Sequence, residues 1–169
     1  VVFGLFPYIA VLLEQRGAGG LREAGFVLAG FALGGFVYIA LIRLLLSRLG
    51  LYGVIRAGAA VAGLGFAALA FSVSWPVEMA IVFVIGLGFY MIHNALQTQA
   101  TELAPTKRAS AVAAHAFFFF LGQAIGPLIY RLGFDTAGVE ATFISGGIVM
   151  VLTGIATAAG LKARTPALT

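Results

Sequence analysis

The sequence predicts an all-α polytopic membrane bundle of six transmembrane helices, the first of them cut short, and three observations carry that prediction. Five stretches run 19 to 23 residues without an Asp, Glu, Lys or Arg: Ala24–Ile42, Ala57–Val77, Met79–Thr101, Ala109–Tyr130 and Ala141–Leu161. A sixth, Val1–Leu13, opens the chain. About 20 apolar residues rising about 1.5 Å each span the ~30 Å hydrocarbon core of a bilayer. Composition agrees, with 62% hydrophobic and 9% charged residues and a mean hydropathy of +1.08. A soluble domain carries roughly a quarter charged residues. Turn formers sit between the stretches: Gly17, Gly19 and Gly20, then Gly50 and Gly53, Pro76, Pro105, and Gly133 with Gly138.

Each element follows from its residues. Val1–Leu13 makes only ~20 Å of helix, shorter than a crossing. It has no initiator Met, basic flank or cleavage site, so the chain is expected to begin inside a helix whose upstream part is missing. Ala24–Ile42 carries Gly30-x-x-x-Gly34, a spacing that lets two helix backbones approach closely in a membrane. Gly122-x-x-x-Gly126 repeats that spacing later. Pro76, after Ser74, fits the first turn of a helix, where its missing N–H costs nothing.

The fourth stretch is the richest in polar groups. Tyr90, His93, Asn94, Gln97 and Thr101 recur at helical spacing and gather on one face. Hydrogen bonding between helices, worth ~0.6 to 2 kcal/mol per contact, explains such a face as well as a cavity lining does. In the fifth stretch His115, Phe119, Gly122 and Gly126 share a face, with Gln123 and Pro127 beside it. Pro127 removes a helix hydrogen bond and, next to Gly126, predicts a kink or hinge. No linker divides the chain, so residues 1–162 form one bundle and 163–169 a tail.

The charges read as topology. Arg43, Arg48, Arg56, Lys107, Arg108, Lys162 and Arg164 fall on one side of the alternating loops, and Arg16, Arg22 and Arg131 on the other. The positive-inside rule places the first group, and the C-terminus, in the cytoplasm. The net charge of +4 therefore marks helix ends in a multi-pass protein of the plasma (bacterial inner) membrane, and no nucleic-acid partner is expected.

Several chemistries drop out. There is no Cys, and His93 and His115 lie on different helices without an acidic partner, a poor metal site. No glycine run ends in Gly-Lys-Ser/Thr, so there is no phosphate loop. An intramembrane serine protease needs a Gly two residues before its Ser, and Phe143-Ile144-Ser145-Gly146 lacks it. No metal, cofactor or enzymatic activity is expected. No Asp or Glu lies within an interior stretch, so a coupling proton would need His93 or His115, or a carboxylate elsewhere.

Three segments resemble the C-terminal half of a major facilitator superfamily transporter, helices seven to twelve of twelve. Gly34-Gly35 through Leu46-Ser47-Arg48-Leu49-Gly50 is similar to the degenerate second copy of the family's cytoplasmic loop motif. Arg48 and Gly50 match, and Ser47 replaces the acid. His93-Asn94-Ala95-Leu96-Gln97-Thr98-Gln99-Ala100-Thr101-Glu102-Leu103-Ala104-Pro105, followed by Lys107-Arg108-Ala109, resembles the tenth helix and exit loop of bacterial drug/proton antiporters of the efflux type. Leu121-Gly122-Gln123-Ala124-Ile125-Gly126-Pro127 is similar to their eleventh helix. The resemblance implies alternating access to a small solute, a partner in the N-terminal six-helix half, and a possible coupling proton. It also implies that the first, second, fourth and fifth crossings face a central cavity, and the third and sixth face lipid.

Expected cavity residues are Phe6, Tyr8, Tyr38, Phe89, Tyr90, His93, Asn94, His115, Phe119 and Gln123. Arg48 and Gly50 belong to the loop motif, and Gly30, Gly34, Gly122, Gly126 and Pro127 to packing and the hinge. Two further readings stay open: a standalone six-helix homodimeric transporter, and a non-transporting scaffold subunit.

Overall fold

The computed structural model of the protein describes residues 1–102 and 104–164, and among them every regular element is helical. The first path is broken: α1 (Val2–Leu5), a 3-10 turn (Phe6–Tyr8) and α2 (Ile9–Gln15). Pro7 causes the break, because it has no N–H to give the carbonyl one turn back and its ring crowds that carbonyl. A Schellman motif ends α2. Gly17 takes φ 64°, its N–H donates to Glu14 O at 3.0 Å, and the Ala18 N–H donates to Leu13 O at 2.8 Å. The next helix starts where the Glu23 carboxylate accepts the Gly20 N–H at 2.9 Å.

That helix, α3 (Leu21–Leu69), has 49 residues and one non-helical position, Gly50, at φ 64° and ψ 175°. A loop was expected from Arg43 to Arg56. Instead the backbone is helical on both sides of Gly50, since Leu and Arg are good helix formers and one glycine with positive φ suffices to redirect the chain. The two arms, 21–49 and 51–69, run in opposite directions. Gly30, Gly34 and Tyr38 meet Met79, Phe83 and Asn94 in ascending order, whereas Gly58 meets Met91 and Gly65 meets Ile85.

After a turn at residues 70–74 come α4 (Trp75–Glu102), α5 (Arg108–Ala137) and α6 (Val139–Arg164). The expected crossing Ala57–Val77 therefore stops at Leu69. Counting charges cannot detect an uncharged turn, and Ser72, Ser74 and Pro76 were its markers. Pro76 does sit in the first turn of α4, whose Glu78 N–H donates to Ser74 O. Helix α5 is continuous through Pro127 and runs past Tyr130 to Gly138, which ends it at φ 85°. Gly133, expected in that loop, lies inside the helix. Of the expected tail, Ala163 and Arg164 belong to α6, and 165–169 lie outside the described residues.

Among the described residues four helices, α3 to α6, are long and apolar enough to cross a membrane. Their outer faces carry large apolar side chains, among them Phe36, Ile39, Leu64, Phe118, Leu128 and Leu152, which a water-soluble protein of this size would cover. Residues 51–69 pack between α4 and α6 and leave one exposed stripe, at Arg56, Ala60, Leu64 and Ala68.

One ionic cluster closes the end of the bundle where α2 meets α4. Arg16 Nη1 donates to Glu78 Oε1 at 2.8 Å, to Ser72 Oγ at 2.9 Å and to Ser72 O at 3.3 Å. Ser72 Oγ donates to the same carboxylate oxygen at 2.6 Å. Glu78, the one charge between two apolar stretches, is only 3% exposed. Replacing Arg16 alone leaves that carboxylate buried and unpaired. Arg16→Ala should therefore cost about 3 kcal/mol, while the double replacement Arg16→Met with Glu78→Met should cost clearly less. Unfolding by SDS titration in mixed micelles reads both, and equal losses would contradict this account.

Glycines make a second, sharper contrast. A Cβ on Gly34 would lie 2.6 Å from the Leu87 backbone nitrogen, whereas one on Gly122 meets nothing within 4 Å. Gly34→Ala should destabilise the bundle by about 1 to 3 kcal/mol through overpacking, and Gly122→Ala should leave it unchanged or slightly stabilised. The same titration would refute the packing described here if the two variants behaved alike.

Candidate functional site

A groove of about 530 Å³ lies between α4, α5 and α6 at the amino end of α1. Its polar groups are few: His93 from α4, His115 and Gln123 from α5, and Thr153 from α6. Around them stand Phe3, Phe89, Phe118 and Phe119. The His93 ring stacks on Phe89 with centroids 5.2 Å apart and an interplanar angle of 13°. It lies 4.8 Å from the Phe119 ring and 5.5 Å from His115. His115 Nε2 is buried without a hydrogen-bond partner.

Helix geometry produces this arrangement. His115 and Phe119 are one turn apart on α5, as Phe89 and His93 are on α4, so the stacked Phe89–His93 pair faces both α5 rings. No Asp, Glu, Lys or Arg lines the groove. Such a surface offers aromatic faces and neutral hydrogen-bonding groups, which suit an uncharged or amphipathic molecule.

The expected cavity residues do not all meet in the groove. Phe89, His93, His115, Phe119 and Gln123 line the groove together. Phe6, Phe89 and Tyr90 pack around Phe31, with ring centroids 5.2, 5.3 and 5.5 Å away. Tyr38 is buried with Val54 and Met91, beside Asn94. Tyr8 reaches across to α5, donating its hydroxyl proton to Pro127 O at 2.8 Å. On the polar face of α4, Gln97 is exposed and Thr101 donates to Thr98 O. That face thus serves packing at Asn94 and the groove at His93.

The remaining positions are structural. Gly30 and Gly34 lie against the α4 backbone, and Gly126 lies against Gly4. Gly122 is exposed and lines the groove. Arg48 stands exposed just before the break at Gly50.

Sequence reasoning missed several participants. Met150 and Thr153 come from the sixth stretch, which was expected to face lipid, and Ile92, Leu96 and Phe118 carry no distinguishing chemistry. Pro7 was visible as a proline inside a helical run and signalled the break beside Phe6 and Tyr8. The Arg16–Glu78 pair had no sequence signal beyond two charges flanking apolar runs.

No curated protein matches the chain at a significant level. The sequence model of the Major Facilitator Superfamily matches residues 1–168. With its apolar helices and the groove between them, the chain belongs to the major facilitator superfamily of membrane transporters.

Proposed function

We propose that the chain is the C-terminal six-helix half of a twelve-helix secondary transporter, of the drug/proton antiporter type, that exports a small uncharged or amphipathic solute. The observation that carries this reading is the groove in which His93, stacked on Phe89, meets the rings of Phe119 and His115, with no fixed charge. In this reading the two arms of α3 are separate crossings, making six, and the opposite directions of those arms support it. The excess of Lys and Arg at one set of helix ends supports a cytoplasmic C-terminus in a bacterial inner membrane.

The N-terminal half closes the solute pathway from the opposite side, and rocking of the halves exposes the groove alternately to each face. The solute takes the His93–His115 wall of the groove. His93 and His115 are the candidates within this half for carrying a proton, because imidazole is the side chain that changes charge near neutral pH.

Accessibility tests this reading. A Cys at Gln123 in the full-length protein should react with a membrane-impermeant maleimide. A panel of uncharged amphipathic solutes should contain some that slow the reaction, while a Cys at lipid-facing Phe36 stays indifferent to all of them. Labelling at Gln123 that no solute changes would favour a scaffold over a transporter.

A second measurement concerns His115. Its replacement by Ala should lower solute export in vesicles about tenfold, the loss of one hydrogen bond to a bound solute, without lowering the amount of folded protein. Undiminished export would remove this histidine from the pathway.

A further inference from the structure

Sequence spacing argues against a metal at His93 and His115, because the two lie on different helices with no acid beside them. The fold removes the first objection. Helices α4 and α5 bring the rings to 5.5 Å, centroid to centroid, at an interplanar angle of 40°. An imidazole nitrogen sits about 2.0 to 2.1 Å from a tetrahedral zinc ion, so two imidazoles on one such ion have their centroids about 5 Å apart. The observed spacing is close to that of two rings sharing an ion, and little movement of either helix separates them.

Hydrogen bonding leaves both rings free for it. Among the described residues neither ring makes a hydrogen bond, and His115 Nε2 is buried without a partner. A buried polar atom in that state costs about 1 to 3 kcal/mol, so a ligand that pairs with it gains by it. Both side chains are half-buried and line the groove, so an ion reaches them from there. The torsion about each Cβ–Cγ bond is two-fold, which lets either nitrogen turn toward the other ring. A half-turn keeps the ring plane that stacks His93 on Phe89.

The donor set selects the ion. Beside the two imidazoles, the groove wall offers an amide from Gln123, a thioether from Met150 and a hydroxyl from Thr153. Imidazole suits the late first-row divalent ions, whereas Mg²⁺ and Ca²⁺ take oxygen ligands, chiefly carboxylates, and none lines the groove. No lysine or arginine stands there to repel a cation. With two protein ligands the ion keeps open positions for water, and a groove of about 530 Å³ has room for them.

We propose that His93 and His115 together bind one late first-row divalent metal ion, of the Ni²⁺ or Zn²⁺ kind, which braces α5 against α4. Helix α5 is otherwise lightly held, with only Gly126 and Tyr130 of its residues buried. The inference rests on the geometry of the pair, and it holds whether or not the groove carries a solute.

Ni²⁺ is the probe. It is titrated into the full-length protein, purified in detergent micelles without a polyhistidine tag, and the heat is read by isothermal calorimetry at neutral pH. The wild type should bind Ni²⁺ with a micromolar Kd. His93→Ala and His115→Ala should each weaken that site by about tenfold or more, since loss of even a supporting partner of a metal ligand costs about tenfold. Mg²⁺ should give no such heat, a control that needs no variant to fold. A wild type that binds no Ni²⁺ would overturn the proposal, as would equal binding of Mg²⁺. Binding that neither replacement weakens would mark an adventitious ion only. Weakening by one replacement and not the other would reduce the site to a single histidine and end the bridge.

Discussion

Helix α4 is gripped on two sides by backbone contact, and glycine alone permits it. On one side Gly34 of the first α3 arm meets the Phe83 carbonyl and the Leu87 nitrogen, while Gly86 meets Phe31 in return. On the other, Gly58 and Gly88 face each other, so a Cβ on either would lie 2.5 to 2.7 Å from the carbonyl of its partner. In water a glycine within a helix is a loss of about 1 kcal/mol. In a bilayer lipid tails are as apolar as the side chains, so helix association relies on close packing, and close backbones supply it. Removing the glycines would leave no stronger hydrophobic drive to take their place.

The same device recurs with the roles exchanged. The arm 21–49 lies parallel to α4 through Gly30 and Gly34, and α5 lies parallel to α1 through Gly126 and Gly4. The arm 51–69 and α6 meet in antiparallel fashion at Gly63 and Gly147, where a Cβ on either would come within 2.6 to 2.8 Å of the other's carbonyl. The second helix of each triplet thus packs on the first helix of the other, and the third helices pack on one another. Two inverted three-helix units related by a two-fold axis in the membrane plane would make this set of contacts. No residue-by-residue repeat is visible in the sequence. The repetition lies in where backbones touch, which many different side chains allow.

What was legible follows from this physics. Apolar runs announce helices because a bilayer requires about 20 such residues, and the family resemblance rested on residues that the fold does place at helix ends and facing surfaces. Gly30 and Gly34 could be named because their spacing is periodic. Boundaries were harder. The break at Gly50 keeps helix on both sides, so charged Arg43 and Arg56 do not mark a loop, and the turn at 70–74 contains no charge at all. The groove was half legible. His93, His115, Phe119 and Gln123 stand out as polar or aromatic groups in an apolar run, whereas Met150 and Thr153 look like any lipid-facing residues until α6 is seen to close the groove. Tyr38 and Asn94 were expected in the same cavity, yet Tyr38 is buried with Val54 and Met91, with Asn94 beside it. Side chains on one helical face need not share one environment, because that face can span two neighbours.

Rigidity is unevenly distributed, and the distribution has a consequence for movement. The α3–α4–α6 side carries the interlocked glycines, and the Arg16–Ser72–Glu78 cluster ties α2 to the start of α4. Helix α5 is held more lightly, with only Gly126 and Tyr130 fully buried. Its attachment to the first helical path is concentrated at one level, where Gly4 meets Gly126 and Tyr8 bonds to Pro127. Both helices carry a proline there, Pro7 and Pro127, and each proline removes the hydrogen bond that would stiffen its own helix. A bend in one helix at that level therefore meets little resistance from the other, and the Tyr8 hydrogen bond requires them to bend together. His115 and Phe119 lie on the part of α5 before this level, and His93 and Phe89 lie on the rigid α4. Bending at the paired prolines would thus change the separation of His115 and Phe119 from the Phe89–His93 pair without unpacking the glycine contacts between α3, α4 and α6.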